Sequence, residues 1–265
     1  MDPSPHQEPG GFIQPTLPSP APSTATTSTS ATTTATLLPR QRTHPLRPGS
    51  TKETSLINHI DKQILLINRR HARKFSREVM GEKEGDGGSG YEGFGEVVGD
   101  VEGVLDLVWV SGTPSLQIPY IISLAGLVNT YLPDFPFSPR PTFRLLRKLD
   151  NIFASLLRGE DVETGTTLPG FEGRRGVVSM TEKVRIKSLA ERCRITVIEV
   201  REEGGGSMVE IEEEDEDEED EDEDMGVGVG EGYEKAPGRW EMEAARVYEK
   251  TIQLLGDEMG SQGPI

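Results

Sequence analysis

The chain has 265 residues and a formal net charge of −17, with 34% hydrophobic and only 6% aromatic residues. This composition supports one modest packed domain and predicts that much of the chain stays unpacked. The single cysteine, Cys193, excludes an internal disulfide and a cysteine-rich zinc site. Without a signal peptide or a run of roughly 20 apolar residues, we expect a soluble intracellular protein that does not use a membrane.

Residues 1–49 are rich in Pro, Ser, Thr and Ala and include the low-complexity sequence SPAPSTATTSTSATTTAT. Such a segment has little apolar surface to offset the conformational entropy that ordering would cost. We therefore predict a disordered tail over residues 1–49 and an ordered helical domain over residues 50–201.

The first predicted helix starts at Ser50, because Ser50 and Glu53 have the spacing of a capping box. A periodic apolar set follows, made up of Leu56, Ile60, Ile64, Ile67, His71 and Phe75. The far end of this helix is strongly basic. A charged, Gly-rich stretch over residues 81–95 then predicts a flexible loop.

Three more helices are predicted before residue 160. Spacing favours a helix from Val97 to Val110, although its valines leave a strand open. Residues 115–131 have the broadest apolar face, so this helix should be central. The helix over residues 142–158 follows a proline-rich turn that we expect two phenylalanines to pin against the core.

A fifth helix is predicted from a second capping box, Ser179 and Glu182, through Val200, with a short strand over residues 195–198 as the alternative. Residues 202–238 are predicted to be an acidic and Gly-rich disordered linker. An amphipathic helix over residues 239–259 either returns to the core or docks on a partner. The predicted fold class is all-α, a small irregular bundle of about five helices with long disordered N-terminal and acidic segments.

An unbroken run of thirteen acidic residues spans Glu212–Asp224, and without it the formal charge is only −4. Such a run is either a solvating linker or an electrostatic device for a basic partner. We predict that it lies transiently over the basic end of the first helix and competes there with acidic or nucleic-acid ligands, less so at high salt. The candidate interaction surface therefore comprises Arg69, Arg70, Arg73, Lys74, Arg77, Glu212, Glu213, Glu214, Asp215, Glu216 and Asp217.

No residue set indicates catalysis. The four histidines are widely spaced, and a formal GxGxxG match at Gly88–Gly93 follows a charged loop rather than a strand. We therefore predict no enzyme activity, no catalytic or metal-binding residues, no cofactor and no small-molecule substrate. Residues 52–201 hold 21 Lys and Arg against 20 Asp and Glu, so we expect direct nucleic-acid binding to be weak or absent. The basic helix end is equally consistent with an ordinary solvated face.

Three stretches carry a resemblance to a known family. They are IDKQILLINRRHARKFS, the segment Asp106–Leu157 and the sequence MTEKVRIKSLAERCRITVIEV. Together they resemble the fungal family known as subunit 11 of the general transcription factor TFIIH. This resemblance implies a mostly helical, non-enzymatic accessory subunit in the nucleus, which contacts the DNA translocase of TFIIH and helps it leave during initiation. The alternative is an acidic chromatin factor with histones as partners.

Overall fold

Seven α-helices and one short 3₁₀-helix make up most of the described chain, which comprises residues 38–80, 89–174, 176–203 and 239–260 of a computed structural model. The predicted all-α fold class is confirmed, since these residues form no strand beyond an isolated β-bridge between Glu160 and Thr167. In chain order the helices are α1 Thr51–Met80, α2 Phe94–Val110, α3 Pro114–Tyr131, the 3₁₀-helix Leu132–Asp134, α4 Pro139–Arg158, α5 Met180–Glu203, α6 Arg239–Ala245 and α7 Glu249–Gly260.

The two segments left open between helix and strand are both helical. Residues 97–110 belong to α2, which begins three residues earlier than predicted, at Phe94. Residues 195–198 lie inside α5. The second predicted capping box is confirmed: the Ser179 amide donates to the Glu182 carboxylate at 2.7 Å, and the Glu182 amide donates to Ser179 Oγ at 3.3 Å. At the first, the Glu53 amide donates to Ser50 Oγ at 3.3 Å, but the Glu53 carboxylate accepts from the Gly49 amide instead of the Ser50 amide, so only half of the predicted box forms.

The apolar helices α2 and α3 lie at the centre of the fold. Helix α2 contacts α1, α3 and α4, while α3 also contacts α5 and the 3₁₀-helix. The buried side chains of α3 point in most directions around its axis, so neighbours cover this helix on several sides. Those of α2 recur every three or four residues and form one continuous apolar face. In α2 these side chains are Phe94, Val97, Val98, Val101, Val104, Leu105, Val108 and Trp109.

Ion pairs between helices define two ends of the bundle. Arg70, late in α1, pairs with Asp100, early in α2, so these two helices are antiparallel. Arg144, early in α4, pairs with Glu102 at 2.8 Å, so α4 begins beside the beginning of α2. We call this the upper end. The lower end is the one at which α1 begins and α2 ends.

Helix α5 ends at the upper end as well. Its first turn, at Lys183, borders the cleft beside the last turn of α4. Its last turn is joined to α6 by an ion pair of 2.7 Å between Arg201 and Glu241. Glu243 on α6 lies 3.9 Å from Arg147, in the first half of α4. The segment 204–238, outside the described residues, therefore connects to the bundle at the upper end.

The N-terminal arm, residues 38–49, packs against the lower end, although sequence analysis assigned it to the tail. The Trp109 indole donates to the carbonyl of Pro39 at 3.0 Å, and the Arg42 amide donates to Val110 at 3.1 Å. The amide of Leu46 donates to Thr113 Oγ1 at 2.9 Å. The arm thereby covers apolar residues at the end of α2. The rest of the predicted tail, residues 1–37, lies outside the described residues.

The C-terminal segment returns to the core, which decides between the two possibilities left by its sequence. It forms two helices rather than one, because the backbone turns at Tyr248, whose φ is 53°. The buried Asp150 carboxylate on α4 accepts hydrogen bonds from the Thr251 amide and hydroxyl, at 2.9 and 2.6 Å. Asp150 therefore caps the first turn of α7 from another helix.

Replacing Asp150 by alanine should destabilise the fold by about 2 kcal/mol, because it leaves buried donors of α7 unpaired. Asp257→Ala, at an exposed position of α7, is the control and should change the free energy of unfolding by less than about 0.5 kcal/mol. Urea denaturation followed by circular dichroism measures both. Equal stabilities of the two variants would contradict the capping role.

The reactivity of Cys193 tests the contact between Asp150 and α7 in a second way. Burial raises the pKa of its thiol to about 12, and its side chain is fully buried. The native protein should therefore react very slowly with a disulfide reagent such as dithionitrobenzoate. Asp150→Ala should accelerate the reaction without global unfolding, because α7 and Tyr248, which shield α5, would open locally. A fast reaction of the unmodified protein would contradict this packing.

Candidate functional site

Arg70 fastens the end of α1 to the beginning of α2. Its guanidinium nitrogens lie 2.5 Å from a carboxylate oxygen of Glu96 and 2.6 Å from one of Asp100. The guanidinium carbon lies 4.1 Å from the ring centroid of Tyr91, whose hydroxyl donates to Asp100 at 2.7 Å. Burial and this hydrogen bond raise the pKa of Tyr91, so its hydroxyl remains a donor at neutral pH. The charge of Arg70 is thus paired with side chains of this same chain.

His71 joins α1 to the end of α3. Its ring stacks on that of Tyr131, with centroids 3.6 Å apart and planes inclined by 12°. Its Nε2 atom lies 2.8 Å from a carboxylate oxygen of Asp134 in the 3₁₀-helix. The Tyr131 hydroxyl donates to Asn68 Oδ1 at 2.6 Å. Through these contacts, Asn68 and His71 hold α1 against the end of α3.

Lys74 completes this cluster. Its ammonium donates to the backbone carbonyl oxygen of Asp134 and lies 4.8 Å from the ring centroid of Phe135. Phe135 is buried, and Phe137 packs edge-on against Phe143 with centroids 5.9 Å apart. The prediction that two phenylalanines pin the proline-rich turn is confirmed. Lys74 contributes to the same anchoring.

The structure therefore divides the predicted interaction surface. Arg70 and Lys74 hold the fold together, whereas Arg69 is exposed and Arg73 is half-buried. The side chain of Arg77 and the acidic residues Glu212, Glu213, Glu214, Asp215, Glu216 and Asp217 lie outside the described residues. Masking of the basic end by the acidic run thus stays a prediction, and the end that it would cover has fewer available cations than the sequence suggested.

Helix α5 has an exposed apolar face that sequence analysis missed. Val184, Ile195 and Ile198 are 49%, 57% and 47% exposed and lie on the side opposite the buried Cys193. The sequence ITVI contained a sign of this face, because Ile195 and Ile198 fall on one side of a helix while Thr196 and Val197 fall on the buried side. The outer face of α5, defined by Val184, Ile195 and Ile198, is thus available for a protein contact.

Among the residues that the structure describes, no group of three or more His, Cys, Asp or Glu side chains could hold a metal ion. None of the helices that the structure describes is long and apolar enough to cross a membrane.

The packed helices α2 to α7 coincide with a known family. A family model described as subunit 11 of the general transcription factor TFIIH matches residues 90–256. The chain belongs to this family. No curated protein and no solved structure gives a significant match to the chain.

Membership in the TFIIH subunit 11 family gives the chain a role in transcription, protein partners within a transcription complex and a nuclear location. The matched range contains two of the three stretches on which the resemblance was based, Asp106–Leu157 and the sequence from Met180. The third, IDKQILLINRRHARKFS in α1, precedes it. The outer face of α5 lies inside the matched range, and the basic end of α1 lies outside it.

Replacing Arg70 by alanine should lower the free energy of unfolding by about 1–2 kcal/mol, since two partly exposed ion pairs and a cation–π contact are lost. Arg69→Ala removes the same charge from the adjacent exposed position and should cost less than about 0.5 kcal/mol. Urea denaturation of both variants tests this assignment. A larger loss of stability in Arg69→Ala than in Arg70→Ala would contradict the structural role of Arg70.

Proposed function

We propose that this protein is a non-enzymatic accessory subunit of TFIIH that contacts the DNA translocase of the complex and promotes its release during transcription initiation. The observation that carries the proposal is the family match over residues 90–256. The translocase contact itself is what the family resemblance implies. The helical fold is compatible with this role, because it provides exposed helix faces on a scaffold whose core is already filled.

The outer face of α5 is the contact surface that we favour. It lies within the matched range, and its large apolar residues Ile195 and Ile198 are exposed to water in the isolated chain. Burying two such side chains against a partner contributes a few kcal/mol, which is enough to make them hot spots of a modest interface. The predicted surface at the basic end of α1, with Arg69 exposed, is the second candidate.

The histone-binding alternative depends on the acidic run alone. The family match supports membership of a transcription factor, and no contact of the described residues favours histones over TFIIH subunits. An acidic run can nevertheless bind basic partners without a folded interface. The two hypotheses are best separated by the identity of the bound proteins.

Affinity purification of the full chain from nuclei of its native organism should recover TFIIH subunits, including the translocase, in amounts that match the bait. Histones should be lost as the salt concentration rises, because exposed charge pairs are screened. Mass spectrometry of the eluates identifies the partners. Recovery of histones without TFIIH subunits would overturn the proposal and favour the chromatin alternative.

The double variant Ile195→Asp/Ile198→Asp should weaken translocase recovery at least about tenfold, because two carboxylates would be buried in an apolar contact. The control Arg185→Ala/Arg192→Ala lowers the net charge by the same amount at exposed positions of α5. It should retain binding, and circular dichroism should show both variants to be folded. Full recovery of the translocase with the aspartate variant would show that the contact lies on another surface. An Arg69→Glu variant would then test the basic end of α1.

A further inference from the structure

The lower end of the bundle carries four exposed cationic side chains that no other described side chain neutralises. They are Arg40, Arg42, Arg47 and Lys52. Residues 39–52 contain no Asp or Glu. The hydrogen bonds of the N-terminal arm to α2 and α3 involve backbone atoms of the arm, so its arginine side chains are left available. The arm is thus a fixed basic surface rather than part of a featureless tail.

An apolar groove of about 440 Å³ lies beside these cations. Leu46 of the arm, Leu56 of α1, and Leu107 and Val110 of α2 supply its apolar lining. Arg42 and Lys52 also line it, and its lining includes no carboxylate. An apolar recess with cations at its side fits a peptide that combines an apolar side chain with carboxylates.

Lys52 adds an electrostatic argument. It lies in the first turn of α1, where the positive end of the helix dipole disfavours a cation and where Glu53 supplies the one carboxylate. An anion bound beside Lys52 would interact favourably with both the ammonium and the helix end. The groove therefore favours a negatively charged occupant over a neutral one.

We propose that this groove binds an acidic peptide segment of a partner protein. An apolar side chain of the segment enters the groove, and neighbouring carboxylates pair with Arg42 and Lys52. Nucleic acid fits less well, because phosphates would leave the apolar lining uncovered. This inference concerns a surface outside the matched range 90–256 and does not depend on the translocase contact.

The chain itself offers two other occupants, and both fit poorly. The acidic run Glu212–Asp224 belongs to the segment that joins the bundle at the upper end, whereas the groove lies at the lower end. Residues 1–37 precede the arm in the sequence but contain only two carboxylates, Asp2 and Glu8. A segment supplied by another protein is thus the occupant that the charges and positions favour.

The test measures fluorescence anisotropy of a short fluorescein-labelled peptide that alternates pairs of aspartates with single leucines, added to the full chain at about 0.15 M salt. Two further probes are the same peptide with serines in place of leucines and a short labelled DNA duplex. The unmodified chain should bind the leucine peptide at least about tenfold more tightly than either one. Equal binding of the serine peptide, or tighter binding of the duplex, would overturn the proposal.

Two variants locate the binding. Arg42→Glu/Lys52→Glu should weaken binding of the leucine peptide at least about tenfold, while Lys62→Glu/Arg185→Glu, with the same charge change at exposed positions elsewhere, should weaken it less than about threefold. Ser55→Trp, which fills the groove, should also weaken binding, whereas Ser188→Trp on α5 should not. Urea denaturation confirms that each variant is folded. Unchanged binding by either groove variant contradicts the assignment.

A final experiment tests which segment occupies the groove. Deleting Glu212–Asp224 at about 0.3 M salt, where long-range repulsion is screened, should leave peptide affinity unchanged within about twofold. Binding that becomes about tenfold tighter on deletion would show that the chain's own acidic run occupies the groove, and it would overturn the choice of a separate partner.

Discussion

The burial of the apolar face of α2 is the constraint on which the rest of the structure depends. The buried side chains of this helix, from Phe94 to Trp109, recur every three or four residues and form one continuous stripe. Helices α1, α3 and α4 pack against α2, and the N-terminal arm covers its last turn. The arm, whose sequence resembles the tail before it, is therefore ordered through its contacts with the end of α2.

This constraint also decides which charges are available for binding. Where α1 lies on α2, the guanidinium of Arg70 pairs with Glu96 and Asp100. Lys74 is used in the same way at the 3₁₀-helix. The arm is instead held through backbone atoms, which leaves its arginine side chains exposed. Hence the basic end of α1 is partly used to hold the fold together, whereas the basic side chains of the N-terminal arm remain exposed.

The capping of α7 by Asp150 fixes the helices that follow the acidic run in sequence. Because α6 and α7 return to α4 and α5, the thirteen acidic residues connect helices at both ends instead of forming a terminal tail. Their two attachments lie at the upper end, together with the basic end of α1. Helix α5, whose outer face carries the proposed partner contact, ends at Glu203, the last described residue before this segment.

The sequence by itself determined the first five helices, the capping serines Ser50 and Ser179, and the family, because helical periodicity, capping and family resemblance are properties of local sequence. It could not assign the arm, since residues 38–49 gain order only from Trp109 and Thr113, which are distant in the chain. It also could not separate Arg69 from Arg70, because their roles differ only through side chains on α2. Tertiary structure decided these points, since burial and ion pairing depend on which distant residues meet in space.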